Sequence, residues 1–286
     1  MAAKGTTSAG SGAGMPEVAV FHGDSPKVRK IGGDRPWAWL ARGWNDMRQV
    51  PKVSFAWGLG FVVLGLVVIA LLYFLQVYYL ILPFAAGFML VAPVMVVGLY
   101  EVSHRLEDGL PVTMMTPFEA WGRNLGQIGF IGFVLGLFFL AWMRLATLLF
   151  AVFFGSGPPN MADFMQQVVF SMDNIWFLVC GTVVGAILSV IVFAIAAISV
   201  PMLLDRHTNV FVAMATSAVA VRENPFPMLV WGILIVLFVV AGMALAFVGL
   251  IITLPLIAHA TWHAYRDIVV PVGEETRLAA GAASEE

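Results

Sequence analysis

The stretch from Val53 to Tyr100, VSFAWGLGFVVLGLVVIALLYFLQVYYLILPFAAGFMLVAPVMVVGLY, decides the fold. It runs for 48 residues without an Asp, Glu, Lys, Arg or His. The hydrocarbon core of a bilayer is about 30 Å thick and an α-helix rises about 1.5 Å per residue, so one crossing takes about 20 residues. This stretch therefore holds two crossings, with the break near Gln76 to Pro83. It predicts membrane spans at about 53–75 and 79–102.

Similar blocks follow. A third span is predicted at about 124–154, interrupted only by Arg144 and stopped by Gly155-Ser156-Gly157-Pro158-Pro159. The loop 160–172 has room for a short amphipathic turn, and a fourth span covers about 174–204. From Asn224 to Tyr265 there are 42 residues without Asp, Glu, Lys or Arg. One helix of that length would reach about 63 Å, twice the core. The block therefore reads as two spans, about 226–246 and 248–268, turning near Gly242 to Gly249. The expected fold is all-α, a polytopic membrane protein with six transmembrane helices.

Composition points the same way. Of 286 residues, 60% are hydrophobic and 11% charged, against about 25% charged in a soluble domain. So little charge cannot cover a water-facing surface, and the lipid bilayer is the expected surrounding. No basic run suits nucleic acid. The single cysteine, Cys180, has no partner for an intramolecular disulfide and reads as a small buried hydrophobe. The segments 1–27 and 271–286, small or polar in composition, are expected to be disordered tails. The first of them has no apolar core of a secretory signal.

The basic residues set the topology. Lys4, Lys27, Arg29, Lys30, Arg35, Arg42, Arg48 and Lys52 precede the first span; Arg105 and Arg123 lie between spans two and three. Arg206 and Arg222 lie between four and five, and Arg266 and Arg277 follow the last. Six spans put 14 of the 15 basic residues on one side, Arg144 being the exception. That side, with both termini, is expected to be cytoplasmic. Five spans would move Arg266 and Arg277 across.

Three interfacial helices are predicted on that side, at about 35–50, 117–125 and 209–223. The first begins Asp34-Arg35-Pro36 and carries Trp37, Leu40, Ala41, Trp44 and Met47 on one face. The second opens with Thr116-Pro117-Phe118-Glu119, the pattern of a capping box with proline at the first helical position. The third uses Val210, Phe211, Met214, Ala218 and Val221 and ends at Asn224-Pro225. Each precedes a two-span hairpin, and the second span of each hairpin carries a proline, Pro93, Pro201 or Pro255. The pattern is a threefold parallel repeat of helix plus hairpin.

Several motifs resemble one bacterial family. They are Pro36-Trp37 with Trp44-Asn45-Asp46, Ala86-Gly87-Phe88-Met89-Leu90, Gly98-Leu99-Tyr100-Glu101 and the closing His259-Ala260-Thr261-Trp262-His263-Ala264-Tyr265-Arg266-Asp267. The chain is similar over roughly 28–270 to the predicted integral membrane proteins of domain-of-unknown-function family 2189. The resemblance implies a bacterial inner-membrane protein without an established activity. Some members carry the label of a cytochrome c oxidase subunit. A haem–copper catalytic subunit needs six membrane-embedded histidines; this chain has five in all, one of them His22 in the tail. An accessory place beside an oxidase stays open.

Polar groups inside a membrane each need an explanation. Arg144 reads as an interfacial anchor, or a partner of Asp163 or Asp173, with an intramembrane polar site as the alternative. Glu101 and His104, three apart on one helix face, have the spacing of di-iron bundles. Arg105 at i+4 from Glu101 favours an ordinary ion pair. His259 and His263 share a face of the sixth span. A metal or haem ligand, a proton relay and an interhelical hydrogen bond to Ser, Thr or backbone all stand as uses of His259, the last favoured. Glu101, His104 and Arg105, then Asp205, Arg206 and His207, then His263, Arg266 and Asp267 each end the second span of a hairpin, and the repeat suggests that they converge at the cytoplasmic rim. Gly132-x-x-x-Gly136 and Gly181-x-x-x-Gly185 suit close helix packing, within the chain or against a partner subunit. No phosphate-binding loop, hydrolase elbow or zinc-protease motif occurs.

The residues favour a non-enzymatic scaffold or accessory protein of other membrane proteins, without a cofactor. A small-solute or ion transporter and a metal- or haem-binding protein linked to respiration are the alternatives.

Overall fold

A computed structural model describes residues 26–155 and 174–270. The expected tails, the loop 160–172, and Asp163 and Asp173 as partners for Arg144 fall wholly or mostly outside the described residues. The described chain is helical and contains no β-strand, only an isolated antiparallel bridge between Val28 and Val269. In chain order the helices are α1 (Arg35–Gln49), α2 (Pro51–Phe74), α3 (Ile81–Met95), α4 (Val97–Glu107), α5 (Thr116–Arg123), α6 (Leu125–Phe154), α7 (Ile175–Ala196), α8 (Ser199–Asp205), α9 (Val210–Glu223), α10 (Pro225–Ala244) and α11 (Leu250–Ile268). A 3₁₀ turn, Tyr78–Leu80, leads into α3.

Five helical runs are long and apolar enough to cross a membrane: Pro51–Phe74, Tyr78–Glu107, Leu125–Phe154, Ile175–Asp205 and Pro225–Ala244. Only 17% to 33% of each spanning window is buried within the protein, so these helices turn most of their surface to lipid. The sixth predicted span forms α11, which is not one of that set. Thirteen of its nineteen residues are buried, and α1, α2, α4 and α10 pack around it. A helix sheathed by protein has its polar side chains satisfied by neighbours, so its sequence need not be apolar all round.

Three junctions share one geometry. A single non-helical residue joins α1 to α2, α5 to α6 and α9 to α10. Val50 has φ −128° and ψ 56°, Asn124 −152° and 55°, and Asn224 −127° and 54°. Proline at the start of α2 and of α10 suits such a junction, because the first turn needs no N–H donor. Two of the three returning helices are broken. One break lies at Val96, three residues past Pro93, and the other at Ala197 and Ile198, just before Pro201. Pro201 has no N–H to give the carbonyl of Ala197, four residues back. In the third returning helix, α11, Pro255 sits inside an unbroken run.

Glycines let the helices around α11 approach closely. A Cβ on Gly43 of α1 would lie 2.6 Å from the backbone nitrogen of Ala260, and one on Gly58 of α2 would lie 2.7 Å from Cα of Ile251. The α10–α11 reversal is as tight: a Cβ on Gly249 would lie 2.8 Å from Cα of Gly242. The turn also holds Ala246 and Phe247 at φ 51° and 65°, a conformation L-residues resist. The glycine pairs 132/136 and 181/185 are half used. Gly132 faces Val94 and Gly185 faces Trp142, while nothing described lies within 4 Å of a Cβ placed on Gly136 or Gly181.

Some local expectations give way to other partners. The capping box at Thr116 does not form: Thr116 is the first helical residue, and its Oγ1 accepts from the Thr113 N–H at 2.9 Å instead. Glu119, its other half, pairs with Arg105. Asp34 precedes α1 without a side-chain cap. On α1 the face with Trp37 and Trp44 stays outside, at 60% and 45% exposure. The face packed on α11 carries Pro36, Trp39, Gly43, Asp46 and Met47. Met47 is the one member of the expected apolar face buried there.

Candidate functional site at the charged end of the bundle

The second half of α11 alternates aromatic and ionisable residues, and each finds a partner on another helix. His259 is fully buried. Its Nε2 lies 3.0 Å from the Ser54 hydroxyl on α2, and its Nδ1 lies 2.8 Å from the Ser103 hydroxyl on α4. Ser103 donates its one proton to Asp46 Oδ2 on α1 at 2.7 Å. Its oxygen therefore accepts from Nδ1–H of His259, and Ser54 donates to Nε2. His263, one turn further along α11, reaches the same Asp46 oxygen at 2.8 Å. The result is one hydrogen-bonded chain, Ser54, His259, Ser103, Asp46 and His263, tying four helices together.

A second network centres on Glu101, whose side chain is fully buried. Arg105 Nε donates to it at 2.9 Å, and Arg123 Nε on α5 approaches at 2.7 Å. Arg105 also bridges to Glu119. His104 Nδ1 stands 3.7 Å from Glu101, and its Nε2 stands 3.3 Å from Asp108 and 3.7 Å from Asp205. Asp205, at the end of α8, accepts from the Tyr265 hydroxyl and meets Arg266 at 3.4 Å. Arg266 donates to Glu107 at 3.0 Å and lies 5.9 Å above the Trp262 ring; Trp262 Nε1 donates to the other Glu107 oxygen at 2.8 Å.

The third network holds Asp267. Arg35 NH2 and Trp39 Nε1 each donate to its Oδ2 at 2.6 Å, and Arg42 reaches Oδ1 at 3.2 Å. Beside it the N-terminal segment is strapped down. Asn224 accepts from the Ile31 N–H at 2.8 Å and donates to the Arg29 carbonyl at 2.9 Å. Arg29 N–H donates to the Ile268 carbonyl at 2.8 Å.

The rim residues do come together. Glu101, His104, Arg105, Asp205, Arg206 and Arg266 form one connected cluster through the contacts above, Arg206 joining at the Tyr265 hydroxyl, 3.0 Å away. His263 and Asp267 lie in the two neighbouring networks. His207 lines a small pocket of about 100 Å³ with Arg123 and Arg206. The metal candidates do not converge: Glu101 with His104 and His259 with His263 sit in separate networks. Glu101 is already matched by two guanidinium groups, which disfavour a cation beside it. Among the described residues no three His, Cys, Asp or Glu gather as a metal site would need. Arg144 stands about 29 Å along α6 from its start, exposed and without a described partner.

Ser54 and Ser103 escaped the sequence reading, and Asp46 entered it only within the motif Trp44-Asn45-Asp46. Ser54 and Ser103 carry no local signal in their apolar helices. Asp46 had one: it falls three residues after Gly43 and seven after Trp39, on the stripe that packs against α11.

The fold and its site define a multi-pass α-helical integral membrane protein. Residues 81–205 match the family model described as Predicted integral membrane protein (DUF2189), the family that the motifs resemble. The match runs from the first residue of α3 to the last of α8. It includes Glu101, Ser103, His104, Arg123 and Asp205. No curated protein and no solved structure matches the chain.

Proposed function

We propose that the protein is a six-span bacterial inner-membrane protein, with both termini cytoplasmic, that serves as a non-enzymatic scaffold or accessory of other membrane proteins. The observation that carries this reading is the closure of the charged end. Glu101, Asp205, Glu107 and Asp267 are each matched by cations of the same chain, which makes a rigid platform rather than a reactive cleft. Six spans are supported by α11, which returns the chain to the end where the basic residues gather. The threefold repeat is supported by the matching backbone geometry at Val50, Asn124 and Asn224. In this reading the protein works without haem or metal.

Reporter fusions after residue 109, after residue 207 and at the C-terminus test the topology, all three being expected inside the cell. Affinity purification from the native membrane in mild detergent tests the role. A membrane-protein partner in stoichiometric amount, with no visible chromophore and no bound metal, is expected. A haem spectrum or a stoichiometric metal would overturn the cofactor-free reading. Ion or solute flux through vesicles of the purified protein would overturn the scaffold in favour of a transporter.

A further inference from the structure

The bundle leaves one seam open. A cavity of about 1220 Å³ lies between the α10–α11 hairpin and helices α3, α6 and α7. It reaches from Tyr79 to Tyr100 along the α3–α4 run, 21 residues or about 32 Å, the thickness of the hydrocarbon core. Its walls are mostly Leu, Val, Ile, Ala and Phe, with Thr182 and Ser189 of α7 among them. Val190 of α7 and Ile233 and Leu237 of α10 line it, yet are 68%, 52% and 59% exposed, so the cavity opens sideways into the bilayer.

Its two ends differ. Away from the charged end it is closed by Tyr79, Phe150 and Phe177. At the charged end it is lined by Thr261 and by Arg222, the sole charged residue among its described lining. The Arg222 side chain is 80% exposed at the mouth, 3.2 Å from Glu223, and Lys30 lies 3.7 Å from the same carboxylate. Two cations against one anion leave the mouth positive. A guanidinium offers paired donors to a phosphate, and its charge favours an anionic headgroup.

We propose that this cavity binds one anionic phospholipid of the cytoplasmic leaflet, its acyl chains between α7 and α10 and its phosphate on Arg222. The proposal rests on the inward-facing topology given above and names the lipid class that the platform carries. An apolar cavity open to the bilayer is filled by lipid chains at no cost in desolvation, and Arg222 selects among headgroups.

The test uses the full-length protein in mild detergent, delipidated and titrated with phosphatidylglycerol or with phosphatidylcholine of identical chains. Retained adducts are counted by native mass spectrometry. One phosphatidylglycerol is expected to bind at about fivefold lower concentration than phosphatidylcholine. Arg222→Gln is expected to remove that preference while chain binding persists. Ser189→Phe, a change at an exposed position on the cavity wall, is expected to abolish the retained lipid of both kinds. Equal binding of the two lipids by the unaltered protein would overturn the proposal, as would a preference that survives Arg222→Gln. A retained quinone or a second copy of the chain in place of phospholipid would overturn it too. These outcomes are independent of the reporter fusions, so a wrong topology and a wrong ligand are told apart.

Discussion

The Nδ1 of His259 lies 2.8 Å from the Ser103 hydroxyl, joining α11 to α4 across 156 residues of chain at a point sealed from solvent. Each ring nitrogen has one hydroxyl partner, and each hydroxyl has one proton to place. The arrangement is complete, so removing its centre leaves the buried Ser54 hydroxyl without its partner, while Ser103 keeps its bond to Asp46.

His259→Leu is therefore expected to destabilise the protein by roughly 1–3 kcal/mol, the cost of one buried group left unpaired. Thermal unfolding in detergent measures it. The double variant Ser54→Ala, His259→Leu should regain part of the loss, because the hydroxyl left unpaired is then gone. An unchanged melting temperature for His259→Leu would contradict a structural role for this chain of hydrogen bonds.

Glu101 gives a second prediction. Its carboxylate is fully buried between Arg105 and Arg123. Arg123→Met should cost about 3 kcal/mol, because it leaves a buried charge partly unmatched. Changing both residues, Glu101→Gln with Arg123→Met, should cost less than the two single changes added together. A double-mutant cycle on unfolding free energies reads the coupling, and strict additivity would show that the pair does not interact.

The helix approaches around α11 predict a contrast between glycines. Gly58→Ala drives a methyl group into the backbone of Ile251 and should lower the yield of folded protein sharply. Gly60→Ala, two residues on, meets nothing within 4 Å and should be neutral or stabilising by up to about 1 kcal/mol. Size-exclusion profiles of the two variants in detergent make the comparison. Equal behaviour would mean that α2 does not pack on α11 at this distance.

The α10–α11 turn supplies a stabilising change. Ala246 holds φ 51°, where a side chain is strained. Ala246→Gly relieves that strain at some cost in chain entropy, for a net gain of about 0.5–1 kcal/mol. A raised melting temperature is expected, and a lowered one would count against a left-handed residue there.

The sequence made the helical membrane fold legible because lipid imposes a simple rule, long apolar runs with charge confined to one end. The same rule hid the site. Ser54 and Ser103 look like incidental small residues in apolar helices, and their purpose depends on a histidine 205 and 156 residues away. On α1 the large exposed rings of Trp37 and Trp44 outweighed the quieter stripe of Trp39, Gly43 and Asp46, although the glycine marks the close contact. For α11 the motif was recognised but its surroundings were not: a helix read as one more membrane span is enclosed by its own chain. Thr116 and Glu119 formed other bonds because nearby Thr113 and Arg105 compete for them, and spacing alone does not reveal a competitor.

The bond from Trp39 to Asp267 spans 228 residues, and this has a bearing on biogenesis. At about 5–20 residues per second, the ribosome needs on the order of ten to forty-five seconds to supply Asp267 after Trp39 has emerged. Through that interval Trp39 of α1 lacks its Asp267 acceptor, and α2 sits in the bilayer with Ser54 lacking its histidine. Assembly closes from the last helix inward, so the nascent protein is most exposed to quality-control proteases until its final helix has been inserted.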